Sequence, residues 1–302
     1  MQLRSRINPF PKGSKAGIVC CSNGQPLSAK SDIKKLEQML ADIGMVPVFS
    51  DYIFVIDGVA AGTACQRAKA LMDFYLDDEI KVIFDISGGD TANEILPYLD
   101  FNVISESRKT FCGYSDLTTI INAIYTQSAC DGACMGQSVL YQVRNFIYDH
   151  GVQQRYDFAE TMFMGKENLF SLDVDFVQGQ EMKGIVVGGN IRCLLKLAGT
   201  KYFPDMKDKI LLLEAYGGLV PQMTTYLSQL AQMGVFNQVT GILLGTFTKL
   251  EQEEAGQGIE KGTIMPELLK RFVGEKLPIA CTRLIGHGTD SKAIIIGGSY
   301  RF

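Results

Sequence analysis

Histidine is scarce in this chain: His150 and His287 are the two in 302 residues, and tryptophan is missing altogether. Chemistry that needs an imidazole therefore has two positions to choose from. Long apolar runs are also missing. Nowhere do about 18 apolar residues follow one another, so no membrane-spanning helix is expected. The opening MQLRSRINPFPKGSK is basic but leads into no apolar segment, so the sequence reads as that of a cytoplasmic protein without a signal peptide. The eight cysteines form no C-x-x-C pair: Cys20 and Cys21 are adjacent, Cys130 and Cys134 sit four apart, and the rest are isolated in apolar segments. That pattern reads as buried, reduced thiols rather than a zinc site, and no metal is expected. Net charge is −4 with the basic residues scattered, so the electrostatic footprint of a nucleic-acid binder is missing. No G-x-G-x-x-G follows the first apolar segment and no G-x-x-x-x-G-K-[ST] occurs, so dinucleotide and P-loop readings lack their fingerprints.

What is present is a regular alternation of elements. AGIVCC (Ala16 to Cys21) reads as a buried strand, and the following segment places Ile33, Leu36, Leu40 and Ile43 on one helical face before Gly44. MVPVF resumes as a strand, Thr63 and Gln66 fit a capping box, and KVIFDI returns as a β-branched and aromatic strand. The loop SGGDTANEILPYLD follows, with Asp90 or Thr91 placed to cap a helix that Pro97 helps to end. Lys109 to Cys112 then read as a short strand, Gly113 as a tight turn, and Asp116 to Thr126 as a helix. Strand alternating with helix predicts a parallel, doubly wound sheet, with ligand sites in the loops at the carboxyl ends of its strands. From Gly151 to Gly179 the pattern loosens into what reads as a crossing between domains. The second half carries GIVVGG, a helix through Leu194, Leu195 and Leu197, KILLLE, an amphipathic helix with Met223, Leu227 and Leu230 on one side, GILLGTF, a helix near Pro266 to Val273, PIACTRLIGHG and AIIIGG.

Three residues invite chemistry. Ser115, in KTFCGYSDLT, stands where a strand turns sharply into a helix. A serine nucleophile needs an adjacent base that is itself held by a third group. His287 lies between Gly286 and Gly288, where backbone can come close to another segment, whereas His150 sits beside an aspartate at a helix end and reads as a solvated or C-capping residue. Glu214 ends the apolar strand ILLLE, at the level where sites form in α/β sheets. Each has an ordinary alternative: Ser115 as an N-cap, Glu214 as a charge favouring the next helix, His287 as a loop residue. Leu117 also occupies the position of the second glycine of a G-x-S-x-G elbow, so an ordinary α/β-hydrolase is not indicated. Cys112 is a possible thiol nucleophile, better read as packing inside its strand, and the double-glycine loop could be an anion site at a helix start.

Taken together, GTACQRAKALMDFYLDDEIKVIFDISGGDTANEILPYLD, CGYSDLT, GIVVGGNIRCLLKLAGT, ILLLEAYG, YLSQLAQMGVFNQVTGILLGTF and LIGHG resemble, in order and along nearly the whole chain, the LD-carboxypeptidase family of serine peptidases, which also contains the microcin C self-immunity peptidases. The resemblance implies a Rossmann-like (flavodoxin-like) N-terminal domain over residues 1–155 carrying the nucleophile, a crossing over 156–180, and a smaller C-terminal α/β domain over 181–302. It implies Ser115 as nucleophile, His287 as general base and acid, and Glu214 as its orienting group. Backbone N–H groups of Asp116 and of Gly89 or Asp90 would form the oxyanion hole, each such donor contributing about 3 kcal/mol in the transition state. The implied reaction releases terminal D-alanine from murein tetrapeptides through an acyl-enzyme, without cofactor or metal, in a cytoplasmic enzyme that recycles cell-wall peptides and is commonly a homodimer.

Some stretches depart from the family pattern. LEAYGG lacks the acidic residues that follow the family's glutamate, G-G-D-T replaces G-G-Y-G, and CDGACMGQ replaces a His-Gly-Pro stretch, so Cys130 to Gln137 are expected to line an altered pocket. The absence of tryptophan argues against aromatic stacking on an adenine, as expected in the microcin branch. The alternatives are a triad acting on a peptidyl-nucleotide or another acylated amino acid, and a non-catalytic member that only holds a peptide.

Overall fold

The computed structural model of the chain describes residue 7 and residues 9–128, 138–148 and 151–302. His150, Cys130, Cys134 and the rest of the stretch to Gln137 lie outside the described residues. In the first half, β1 (Lys15–Val19) leads into α1 (Lys30–Asp42), whose Ile33, Leu36 and Leu40 are buried at helical spacing. The chain reverses at Gly44, where φ is 96°, into β2 (Val46–Phe49). α2 (Ala64–Leu76) opens with the expected capping box: Gln66 N–H donates to Thr63 Oγ1 at 3.3 Å and Thr63 N–H donates to Gln66 Oε1 at 2.9 Å. β3 (Ile80–Asp85), α3 (Phe101–Ser107), β4 (Thr110–Gly113), α4 (Thr118–Gln127) and β5 (Ser138–Leu140) follow.

The helix expected after the double glycine forms only as 3-10 turns over Ala92–Tyr98, and neither Asp90 nor Thr91 caps it. Both side chains have charged partners instead. Asp90 pairs with Arg192 and Lys196, and the Thr91 hydroxyl accepts from the buried Arg67 at 3.2 Å. Charge-assisted bonds of this kind outcompete a neutral cap.

The stretch that lacked a clear period opens with a 14-residue helix, α5 (Gly151–Met164). Its buried face is Gly151, Gln154, Asp157, Phe158, Thr161 and Met162, which is helical spacing with polar residues at half the positions. No apolar stripe announces it. The polar groups find local partners, as when Gln154 Nε2 donates to the Ser291 carbonyl at 2.9 Å. After it come β6 (Asp175–Gln178), β7 (Lys183–Asn190), α6 (Ile191–Leu195), β8 (Lys209–Ala215), α7 (Val220–Gln232), β9 (Gly241–Phe247), α8 (Thr248–Gly256), α9 (Ile264–Lys270), β10 (Ile279–Cys281), β11 (Ile294–Ile295) and β12 (Ser299–Arg301).

These strands form two six-stranded sheets, ordered β11-β5-β4-β3-β1-β2 and β12-β7-β8-β9-β10-β6. In the first, β2, β1, β3, β4 and β5 are parallel, the doubly wound order expected of a flavodoxin-like sheet. In the second, β7 to β10 are parallel and β12 and β6 pair antiparallel at the edges. β11 crosses back: Ile294 and Ile295 pair antiparallel with Leu140 and Val139 at the edge of the first sheet. The α/β class is as the sequence predicts, but the return of β11 was not foreseen.

The two sheets are locked through α4. Asn122 Nδ2 donates to the Gly188 carbonyl at 2.9 Å and Asn122 Oδ1 accepts from Gly188 N–H at 2.9 Å, so a side-chain amide mimics a strand partner for β7. Asn190 N–H also donates to Thr118 Oγ1 at 3.0 Å. Both contacts lie on the helix that begins three residues after Ser115, which ties the serine turn to β7, the strand beside β8.

Candidate active site

β4 ends at Gly113, where a side chain would press on Leu117 Cβ at 2.7 Å, so glycine is required for the chain to turn this tightly. Ser115 has φ of 55°, a left-handed conformation that costs a non-glycine residue about 1 kcal/mol or more. Leu117 N–H closes the turn on the Tyr114 carbonyl at 3.0 Å. Ser115 is thus held at the carboxyl end of a central strand, half-buried, on the wall of a cavity of about 170 Å³. Gly88, Tyr114, Gln142, Arg144 and His287 share that wall, with Asp85 at the end of β3.

The second sheet contributes the group behind His287. Glu214, next to last in β8, is fully buried, and its Oε2 lies 2.9 Å from His287 Nδ1. Tyr114 donates its hydroxyl to the same oxygen at 3.0 Å and sets its ring edge-on to the imidazole, with centroids 4.7 Å apart. Burial, with the Glu214 carboxylate beside it, holds the Tyr114 phenol well above its ordinary pKa, so it stays a donor. Tyr216 packs on the imidazole from another side, with centroids 5.2 Å apart. The imidazole is therefore caged by two aromatic rings and a carboxylate. Gly286 makes the approach possible: a side chain there would fall on Thr246 Oγ1.

Asp116, the residue after the serine, is fully buried, and its carboxylate joins three segments. It accepts from Ser22 Oγ at 2.7 Å, from Ala92 N–H at 2.8 Å and from Lys196 Nζ at 2.5 Å. Lys196 also donates to the Asp90 carbonyl at 2.9 Å, and Arg192 donates to the Gly89 carbonyl at 3.2 Å. Two cations just past β7 thereby bind the double-glycine loop to the Ser115 turn. Lys196→Met is expected to lower stability by about 3 kcal/mol, the low end for breaking a buried ion pair, read as a shift of the urea midpoint. A midpoint unchanged within error would show that the pair does not brace the turn.

The structure brings Ser115, Glu214 and His287 to one place from loops and strands far apart in the chain. Gly88 lines the cavity beside them. Gly89 has φ of 135°, and a side chain there would fall on Asn23, while the Asp90 carboxylate turns to Arg192 and Lys196. Cys112 is buried in β4, where desolvation pushes its thiol pKa far up, so it does not offer a thiolate. Sequence reasoning missed Tyr114, Tyr216, Lys196 and Arg144. Tyr114 stood beside the serine in the quoted motif, but its partner Glu214 is 100 residues away, a pairing that no spacing displays.

Family models for the LD-carboxypeptidase N-terminal and C-terminal domains match residues 16–134 and 183–302. The chain belongs to the LD-carboxypeptidase family and is a peptidase by class. The murein tetrapeptide carboxypeptidase of Pseudomonas aeruginosa is 26% identical over 247 residues, 77% of this chain and 76% of that protein. Among solved structures, MccF, the microcin C7 self-immunity protein, in complex with glutamyl sulfamoyl guanosine, matches with a TM-score of 0.83 at 19% identity, covering 98% of this chain and 95% of that one. Muramoyltetrapeptide carboxypeptidase from Oxalobacter formigenes matches with a TM-score of 0.73 at 20% identity, covering 95% and 94%. Among the described residues, no helix is long and apolar enough to cross a membrane.

Proposed function

We propose that this chain is a serine LD-carboxypeptidase that releases terminal D-alanine from murein tetrapeptides, with Ser115, His287 and Glu214 as its triad. The observation that carries the reading is the 2.9 Å contact of Glu214 with His287 Nδ1 on the wall that also holds the strained Ser115. A buried carboxylate accepting at Nδ1 keeps the proton there and leaves Nε2 as the basic nitrogen. Ser115 Oγ attacks the carbonyl carbon of the diamino acid while its proton passes to Nε2. The resulting oxyanion is received by backbone N–H groups at Asp116 and in the Gly89–Asp90 loop. His287 returns the proton to the leaving amine of D-alanine, water attacks the acyl-enzyme with His287 again as base, and the tripeptide departs. The same reading includes cytoplasmic work on recycled wall peptides, a homodimer, and a division into a nucleophile-bearing domain and a domain carrying glutamate and histidine.

The test is mass spectrometry of L-Ala-γ-D-Glu-diamino acid-D-Ala tetrapeptides, in lysine and diaminopimelate versions, incubated with the protein. Loss of one D-alanine residue is the expected result. If no tetrapeptide is cut while an aminoacyl sulfamoyl nucleotide is, the substrate is of the peptidyl-nucleotide type. If nothing is cut and a fluorophosphonate fails to label Ser115, the chain is a binding member of its family.

A further inference from the structure

Of the residues lining the cavity beside Ser115, Arg144 is the one that carries a lasting positive charge. It stands on the turn Val143–Ile147 that follows β5, and it is only half-buried, so its guanidinium is reachable from the cavity. Its position is supported from behind. Arg144 Nη1 donates to Gln25 Oε1 at 3.2 Å, and buried Gln25 is itself anchored by donating from Nε2 to the Ile86 carbonyl at 3.4 Å. Among the described residues no carboxylate forms an ion pair with Arg144. The nearest acid on the cavity wall, Asp85, is turned inward: its oxygens accept from Cys21 N–H at 2.7 Å, Ser87 N–H at 2.8 Å and Ser87 Oγ at 2.5 Å. The guanidinium fork is thus left with donors to give and no acid competing for them.

We infer that Arg144 is the specificity-determining contact for the free carboxylate of the residue being released. This rests on the reading of the protein as a carboxypeptidase. In such a substrate the terminal carboxylate is separated from the scissile nitrogen by a single carbon, so it must share the small space that holds Ser115 and His287. The other carboxylates of a murein peptide sit further along the chain. A cavity of about 170 Å³, below the range of roughly 300 Å³ and more usual for whole small-molecule ligands, admits one small residue. A planar guanidinium suits that carboxylate because it can donate two parallel hydrogen bonds. Gln142, on the same wall, offers a further amide donor. The consequence is an enzyme confined to chain ends: a peptide continuing past the scissile bond would present a neutral amide to Arg144 and leave its charge unmatched.

The experiment compares kcat/KM for a tetrapeptide ending in D-alanine and for the same peptide ending in D-alanine carboxamide, in wild type, Arg144→Gln and Arg144→Lys. Wild type is expected to prefer the acid by roughly 100-fold or more. Arg144→Gln should lose about 100-fold on the acid, so that the preference collapses towards parity, with Arg144→Lys between the two because it keeps the charge but not the fork. Fluorophosphonate labelling of Ser115 in each variant reports that the site is folded. Equal losses on acid and amide would overturn the inference and leave the carboxypeptidase reading standing. A labelled wild type that cleaves neither peptide, releasing neither D-alanine nor D-alaninamide, would overturn both.

Discussion

Ser115→Gly is expected to abolish peptide hydrolysis, by on the order of 10⁶-fold, while making the protein more stable. The two effects have one cause. The serine occupies a left-handed conformation, φ 55°, that glycine adopts freely. Relief of about 1 kcal/mol should raise the unfolding midpoint by roughly 2 °C in a chain of this size. Ser115→Ala keeps a Cβ in that conformation and should lose the activity without gaining the stability. Thermal unfolding of the three proteins beside the tetrapeptide assay separates these outcomes. A glycine variant that melts with wild type would mean the turn holds no strain, and an alanine variant that still releases D-alanine would remove the serine from the chemistry.

Glu214→Gln should cost about 10⁴-fold in kcat/KM, the loss seen when a triad carboxylate becomes an amide. Glu214 Oε2 has donors from both His287 Nδ1 and Tyr114. A glutamine must present either oxygen or NH₂ to that pair, and with NH₂ turned to the imidazole it favours the tautomer whose basic nitrogen points away from the serine. Tyr114→Phe removes one donor and leaves the carboxylate, so roughly tenfold is expected. The order of the two losses is diagnostic. If Glu214→Gln stays within tenfold of wild type, the carboxylate is not what orients the histidine.

The course of the first half could be read in the sequence because its determinants are local. Thr63 and Gln66 lie three residues apart and make their capping box with each other, and the apolar runs of β1 and β3 are each complete within a few positions. Glu214 was legible for the same reason, as a charge closing an apolar strand. What could not be read depends on partners distant in the chain. Asp90 resembles a helix cap until Arg192 and Lys196 arrive from beyond β7 to bind it. α5 buries glutamine, aspartate and threonine, so its face carries no hydrophobic period although its spacing is regular. β11 is two residues of isoleucine in a run of three, and nothing local to it says which sheet it will join.

That last strand bears on how the site comes into being. The segment with His287 leaves β10 in the second sheet and arrives at β11 in the first, so it is a strap stitched at its two ends to different sheets. The edge of β5 stays bare until Ile294 and Ile295 are available to cover it, and until then the segment bearing His287 is anchored to one sheet only. The serine turn, made of residues close in sequence, can form much earlier. If the proposed triad holds, a nascent chain would carry its strained serine without a positioned histidine until residues 294–295 emerge, so closing the edge of the first sheet and acquiring the capacity to cut would be the same event.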